Sequence, residues 1–239
     1  MRRGRAEAVM QGARRAGDRR VWGSYAPVYA LMDDVPFVQD LRERHLRAMG
    51  GRRRIVDAGC GVGLIAGRLA TGLARTVLGV DRDPAMLDGS VRRVAGLSAV
   101  RLLRGDAQAL PVRTGACDGY VSNNVLYCVD DPARVLREAA RVIQPGGVIS
   151  ISSPRPCIDV EVLLDAFFGY LRTSEFDVAQ EDVDRFVASN RRLQRELKHL
   201  YEPDDAIRLL GPDWSIVEAG RAYLDQNFFV MAIRVGTSA

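Results

Sequence analysis

The stretch that decides the fold is IVDAGCGVGLIAGRLA, residues 55–70. A short apolar run carries one acid, Asp57, and three glycines follow at alternate positions, Gly59, Gly61 and Gly63. A strand running into bare backbone and then a helix brings unshielded N–H groups to the carboxyl edge of an open sheet, where α/β folds bind their ligands. Nucleotide-like ligands suit such a place. The dinucleotide pattern G-x-G-x-x-G fits poorly, because counting from Gly59 its last position is Leu64. Counting from Gly61 it is Ala66, which the relaxed form tolerates, but that frame begins four residues past Asp57 instead of directly after the strand. The spacing weakens the dinucleotide reading without excluding it. A phosphate loop fails, since no Gly-Lys-Ser/Thr follows. A carboxylate beside a pyrophosphate is repulsive, so Asp57 asks for a cationic or hydrogen-donating group. A ligand with an ammonium at one end and a ribosyl nucleoside at the other satisfies both features.

Strands and helices alternate around this turn, which implies a mostly parallel sheet covered on both faces. A helix is expected over about 36–49, with Pro at its start and Gly50-Gly51 at its end. Strands are expected at 55–57, 76–80, 99–103, 119–122 and 148–152, with helices at about 64–72, from Pro84, and at 132–143 up to Pro145-Gly146-Gly147. The alternation then breaks. Residues 158–173 and about 180–200 both show helical spacing with no strand between them. A short helix at 204–210 and closing strands at 214–217 with Tyr223 and at 227–235 follow, expected to be an antiparallel pair. The fold expected is a doubly wound, Rossmann-like α/β sheet of seven strands, mostly parallel with an antiparallel last strand, plus a helical insertion at 155–202. The domain expected is 21–236, with an N-terminal helical cap at 21–50 and a basic tail at 1–20.

With 239 residues, 47% of them hydrophobic, the chain can bury one sizeable core. The net charge of +4 is misleading, because residues 1–20 hold seven Arg against Glu7 and Asp18 and leave the remainder at −1. A folded body without clustered cations is a poor nucleic-acid binder. Cys60, Cys117, Cys128 and Cys157 form no C-x-x-C pair and have only His45 and His199 for company, so neither a zinc site nor a disulfide framework is expected. No apolar run is long enough to span a membrane, and a cytoplasmic location follows as the default. The Arg-rich start reads better as a solvated tail than as an organellar transit peptide, because the whole chain uses 33 Arg and a single Lys, Lys198.

Five ordered blocks resemble the class I S-adenosylmethionine-dependent methyltransferases. They are D-x-G-x-G-x-G at 57–63, GVDRDPAML at 79–87, RGDAQALPV at 104–112, DGYVSNNVLYCVDD at 118–131 and LREAARVIQPGGVISIS at 136–152. Upstream, YAPVYALMDDVP at 25–36 looks like the entry segment of the quinone-biosynthesis branch, with Ala30 where that branch has Asp. The resemblance implies S-adenosylmethionine as cofactor and S-adenosylhomocysteine as product. It implies that Asp81 accepts from the ribose hydroxyls, that Arg82 and Met86 flank the adenine, and that Asp106 and Ala107 meet its ring edge. Asn123 reaches the amino-acid end, Tyr29 closes over the methionyl part, and Asp57, Gly59, Gly61 and Gly63 form the cradle.

Methyl transfer from a sulfonium needs mainly a nucleophile held in line, so no fixed triad is required. A general base would help a phenol, amine or acidic carbon, and the candidates are His199, Tyr25 and Tyr127, then Tyr201 and His45. The insertion carries Ile158, Val162, Leu163, Phe167, Phe168, Tyr170 and Leu171, more apolar area than one core-facing stripe needs. It reads equally as a lid over an aromatic or hydrophobic acceptor or as packing against the sheet or a second subunit. The acids Glu175, Asp177, Glu181, Asp182 and Asp184 suit a helix start. The expected activity is methylation of an O, N or C nucleophile of a bulky, partly apolar small molecule by a monomer or homodimer, with no nucleic-acid, membrane or metal partner. A tRNA or protein methyltransferase, and a cofactor-binding protein that transfers no methyl, are the alternatives.

Overall fold

Seven strands form one sheet in the order β3-β2-β1-β4-β5-β7-β6, in a computed structural model that describes residues 22–23, 25–72, 76–175 and 178–236. The strands are β1 Arg54–Ala58, β2 Thr76–Asp81, β3 Val100–Arg104, β4 Cys117–Asn123, β5 Ile143–Pro154, β6 Trp214–Ala222 and β7 Asn227–Arg234. Strands β1 to β5 run parallel, and β7 lies antiparallel between β5 and β6. The expected mixed sheet is therefore present. The helices are α1 at 25–29, α2 Pro36–Ala48, α3 Leu64–Thr71, α4 Pro84–Arg93, α5 Pro132–Val142, α6 Val160–Thr173, α7 Gln180–Arg195 and α8 Pro203–Leu210. The basic tail and the transit-peptide reading lie outside the described residues.

Short sequence signals set the helix starts. Asp83 accepts from the Ala85 and Met86 N–H groups, and Asp131 from Arg134 N–H, each immediately before a Pro that opens the helix. The carboxylate satisfies donors with no partner in the first turn, and Pro lacks an N–H where none is needed. Glu202 and Asp205 form a reciprocal capping box around Pro203 at the start of α8.

Two boundaries differ from the sequence pattern. The Pro145-Gly146-Gly147 stop is a bulge inside β5, not its beginning: Ile143 pairs with Cys117 and Val148 with Gly119, so residues 144–147 bow out, with Gly146 at φ +77°. Strand β6 runs on to Ala222 because it pairs with β7 from Trp214↔Arg234 to Ala222↔Asn227. The connecting turn is made by Tyr223, Leu224 and Asp225, all left-handed at φ +58°, +55° and +63°. Glycine is absent there, so the turn carries strain of order 1 kcal/mol or more per residue.

Three apolar clusters hold the layers together. On one face α5 and α8 bring Leu136, Ala139 and Leu210 against Val56, Tyr120 and Ile149. On the other α2 and α3 bring Leu41 and Ile65 against Ile55, Val77 and Phe229. The third cluster sits with Val62, Leu64 and Met86 and joins Tyr25 and Val28 of α1 and Phe37 of α2 to Leu163, Phe167 and Phe186 of α6 and α7. Phe167 and Phe186 are buried with ring centroids 4.5 Å apart, each contributing about 1.5–3 kcal/mol by burial. The apolar surplus of α6 goes mainly into this contact with the chain's own N-terminal segment, and Val162 stays 41% exposed.

Candidate active site

The carboxyl ends of β1, β2 and β4 open into a cavity of about 180 Å³. Its floor is chemical and its roof is aromatic. The glycine turn contributes Gly59 and Gly61, the strand ends contribute Asp57, Asp81, Arg82 and Asn123, and the loop after β3 contributes Asp106 and Ala107. Met86 of α4 closes one side. Across from them stand Trp22, Tyr25 and Tyr29 of the N-terminal segment, Tyr127, Leu163 of α6, Asn190 and Leu193 of α7, and Tyr223 of the strained turn. Ten of the eleven residues expected at the cofactor thus line one space, Gly63 being the exception.

The glycines are held to their type by backbone and by space. Gly59 has φ +75°, and a Cβ added there would collide with Val125 Cγ2. Gly63, at φ +80°, starts α3 against the Ser90 side chain, where a Cβ would meet Oγ; its role is close packing of α3 on α4. Both positions favour the one residue without a Cβ.

Asp57 is 2% exposed and its Oδ2 has no hydrogen-bond partner. Burial, and next the nearby charge of Asp81, push its carboxyl up to about 7, while the Ala66 N–H works the other way. A buried carboxylate with an unfilled acceptor is costly, and an ammonium placed against it removes that cost. Asp81 accepts from Gly61 N–H and Asp83 N–H, each at 2.9 Å and on different oxygens. Each oxygen keeps a lone pair for a further donor, and burial raises its pKa also. Asp106 accepts from the Gln108 backbone at 2.8 Å and from its side chain at 3.2 Å. Asn123 accepts from Ser152 Oγ at 2.8 Å. Asn124 is left-handed at φ +58°.

The groups considered as bases fall into two kinds. Tyr25 and Tyr127 line the cavity, and burial above all pushes both hydroxyls up, so at neutral pH they hold their protons and act as donors. Tyr25 donates to Asn190 Oδ1 at 3.1 Å. His199 and Tyr201 are half-buried and are not among the residues that line the cavity. His45 is fully buried between Ser150 Oγ at 2.7 Å and Ser152 Oγ at 2.9 Å. Burial drives its pKa down to about 3, and it ties α2 to β5 as a neutral ring. Because Ser152 gives its proton to Asn123, its oxygen accepts from His45 Nε2, which leaves Nδ1 to accept from Ser150.

Sequence reading missed Trp22, Arg42, Asn190 and Tyr223. The first and last would have shown as aromatics flanking predicted elements; Arg42 and Asn190 sit in helices where polar residues look solvated. Among the described residues, no group of three His, Cys, Asp or Glu could hold a metal ion, all four cysteines are free, and no helix is long and apolar enough to cross a membrane.

Residues 56–151 match a family described as a methyltransferase domain. An uncharacterized 37.1 kDa transposon protein of Streptomyces fradiae is 38% identical over 101 residues, 41% of this chain and 29% of that protein. A demethylmenaquinone methyltransferase of Staphylococcus aureus is 29% identical over 184 residues, 70% of this chain and 74% of its own. Other Staphylococcus aureus enzymes of that name match over about half their length (52%). The N-methyltransferase NodS of Bradyrhizobium japonicum, solved with S-adenosyl-L-homocysteine, superposes at a TM-score of 0.60 with 17% identity, covering 89% of this chain and 98% of that one. At that identity the likeness is one of fold.

Proposed function

The chain belongs to the class I S-adenosylmethionine-dependent methyltransferases, and from this we propose that it methylates an O, N or C nucleophile of a bulky, partly apolar small molecule in the cytoplasm, as a monomer or homodimer. One observation carries the reading: a single cavity joins an acidic, glycine-floored end to an aromatic end. The similarity to demethylmenaquinone methyltransferases supports an acceptor with an apolar ring.

The residues at the acidic end fit the cofactor. Asp57 has an unfilled, buried acceptor for an ammonium, Asp81 has lone pairs free for two hydroxyls, and a Cβ built on Gly61 would meet nothing nearer than Met86 Sδ at 3.9 Å. When bound, S-adenosylmethionine supplies a methyl already activated on a sulfonium. The protein then has to orient and to exclude water. Tyr29 stands between the carboxylates and the aromatic end, while Trp22, Tyr25 and Tyr127, with ring centroids 6.2 and 6.5 Å from Trp22, wall off the acceptor. The acceptor's proton leaves without help from these tyrosines, whose hydroxyls remain protonated. Helices α6 and α7 act as the cover over that end.

Transfer of label from methyl-labelled S-adenosylmethionine to a fractionated metabolite extract tests the function. Label in a small, organic-extractable compound is expected; no transfer despite tight cofactor binding would overturn it. Asp57 adds a pH signature. Below about 7 the unliganded carboxyl is protonated, and it must ionise to hold an ammonium, so S-adenosylhomocysteine affinity falls by up to about tenfold per unit as pH drops from 7 to 5. Calorimetry across that range checks this, and Asp57→Asn binds weakly with a shallower profile. A flat wild-type profile would remove Asp57 from the ammonium.

A further inference from the structure

The turn joining β6 to β7 is held in a backbone conformation that its residues disfavour. Tyr223, Leu224 and Asp225 are all left-handed, and their surroundings enforce it. Arg155, 5% exposed, donates to the Asp225 carbonyl and pairs with Glu202 at 2.9 Å. Gln226 donates to the Leu224 carbonyl at 3.1 Å and accepts from Asp159 N–H at 2.7 Å. Strain that several contacts maintain points to a side chain held in place for use. Leu224 and Asp225 are exposed, whereas Tyr223 enters the cavity with its ring T-shaped against Phe37, centroids 4.8 Å apart.

Tyr127 reaches the same cavity from the turn Leu126–Cys128 that follows β4, and its carbonyl accepts from Lys198 N–H at 3.0 Å. Neither hydroxyl has a hydrogen-bond partner among the described residues. Burial above all pushes both up, and Tyr127 lies in the field of Tyr223, so both stay protonated as donors. The amides at that end are already spent. Asn190 accepts from Tyr25 and donates to the Phe186 carbonyl, and Gln194 accepts from Val160 N–H and donates to the Ile158 carbonyl. The carboxylates that line the cavity, Asp57, Asp81 and Asp106, all belong to the floor. An amine or ammonium therefore finds no counter-charge at the wall, while two phenolic donors in an apolar enclosure lack an acceptor.

We propose that the Tyr127 and Tyr223 hydroxyls bind one oxygen of the methyl acceptor in its ionised form, which makes the acceptor a ring compound with an acidic hydroxyl rather than an amine. The inference rests on the reading of this cavity as a methyl-transfer site and narrows its substrate. Two fixed donors stabilise the electron-rich form of the acceptor where the tyrosines cannot serve as bases, and Tyr223 is a specificity-determining residue.

Two probes of nearly equal shape test this: 4-nitro-1-naphthol, ionised at about pH 8, and 4-nitro-1-naphthylamine, neutral there. Calorimetry on protein loaded with S-adenosylhomocysteine is expected to show the naphtholate preferred by about 10- to 100-fold. Tyr127→Phe and Tyr223→Phe each lower the preference by about three- to tenfold, and together they abolish it, while S-adenosylhomocysteine affinity stays within about twofold of wild type. The absorption band of the bound naphtholate, moved to shorter wavelength by hydrogen donation, returns toward longer wavelength in each variant, which lost packing alone does not produce. Equal wild-type affinities, binding of neither probe, or a preference undiminished in the double variant overturns the proposal. So does a parallel loss of S-adenosylhomocysteine affinity, which would assign the two residues to the cofactor. Failure of wild-type protein to bind S-adenosylhomocysteine instead overturns the cofactor reading itself.

Discussion

Asp81→Ala lowers the affinity for S-adenosylhomocysteine by about 100- to 10,000-fold in calorimetry. Two hydroxyl donors on one carboxylate are worth about 1.5–3 kcal/mol each as charge-assisted bonds, and each 1.4 kcal/mol is about a factor of ten. The loss does not stop at the ligand. Asp81 also accepts from Gly61 N–H and Asp83 N–H, so the Ala variant frees the glycine turn and the start of α4 together. Asp81→Asn separates the two contributions: its one remaining carbonyl oxygen, with two lone pairs, can keep one backbone N–H and one hydroxyl, and an intermediate loss of about tenfold is expected. An Ala variant that binds as tightly as wild type would mean that the cofactor lies elsewhere.

Gly59→Ala destabilises the fold by about 2–6 kcal/mol in denaturant unfolding, combining a left-handed backbone of about 1–3 kcal/mol with overpacking of similar size. The added Cβ collides with Val125 Cγ2, and Val125 is itself buried at the cavity wall. Val125→Ala in the Gly59→Ala background should therefore recover part of the loss, with a coupling of about 0.5–3 kcal/mol. Strict additivity of the two changes would show that the backbone alone sets the cost.

The sheet and its glycine turn were legible because their signals are local. An apolar run, an acid and three glycines define β1, and Asp-Pro pairs define the starts of α4 and α5. The β5 bulge was not legible, since Pro-Gly-Gly reads as a stop and only the pairing with β4 carries the chain through it. The Tyr223 turn was hidden because none of its left-handed residues is the glycine or asparagine that such turns usually advertise. At the site, acids and glycines near strand ends could be placed by motif. Arg42 could not, because its place at the cavity wall depends on its ion pair with Asp33. The histidines show the opposite limit: an imidazole is a plausible base by type, yet His45 spends both nitrogens on buried serines.

Apart from Tyr127 and Tyr223, the wall facing the acidic floor comes from different parts of the chain than the floor. The floor is drawn from residues 57–124, on and between parallel strands, whereas Trp22, Tyr25, Leu163, Asn190 and Leu193 belong to segments outside the strand ladder. Changes of substrate can then accumulate in the wall by drift while the glycine turn stays under its own steric constraint. A lineage carrying this fold can diversify its chemistry by exchanging two helical segments, and a chimera that transplants residues 155–202 is the unit in which such inheritance would move.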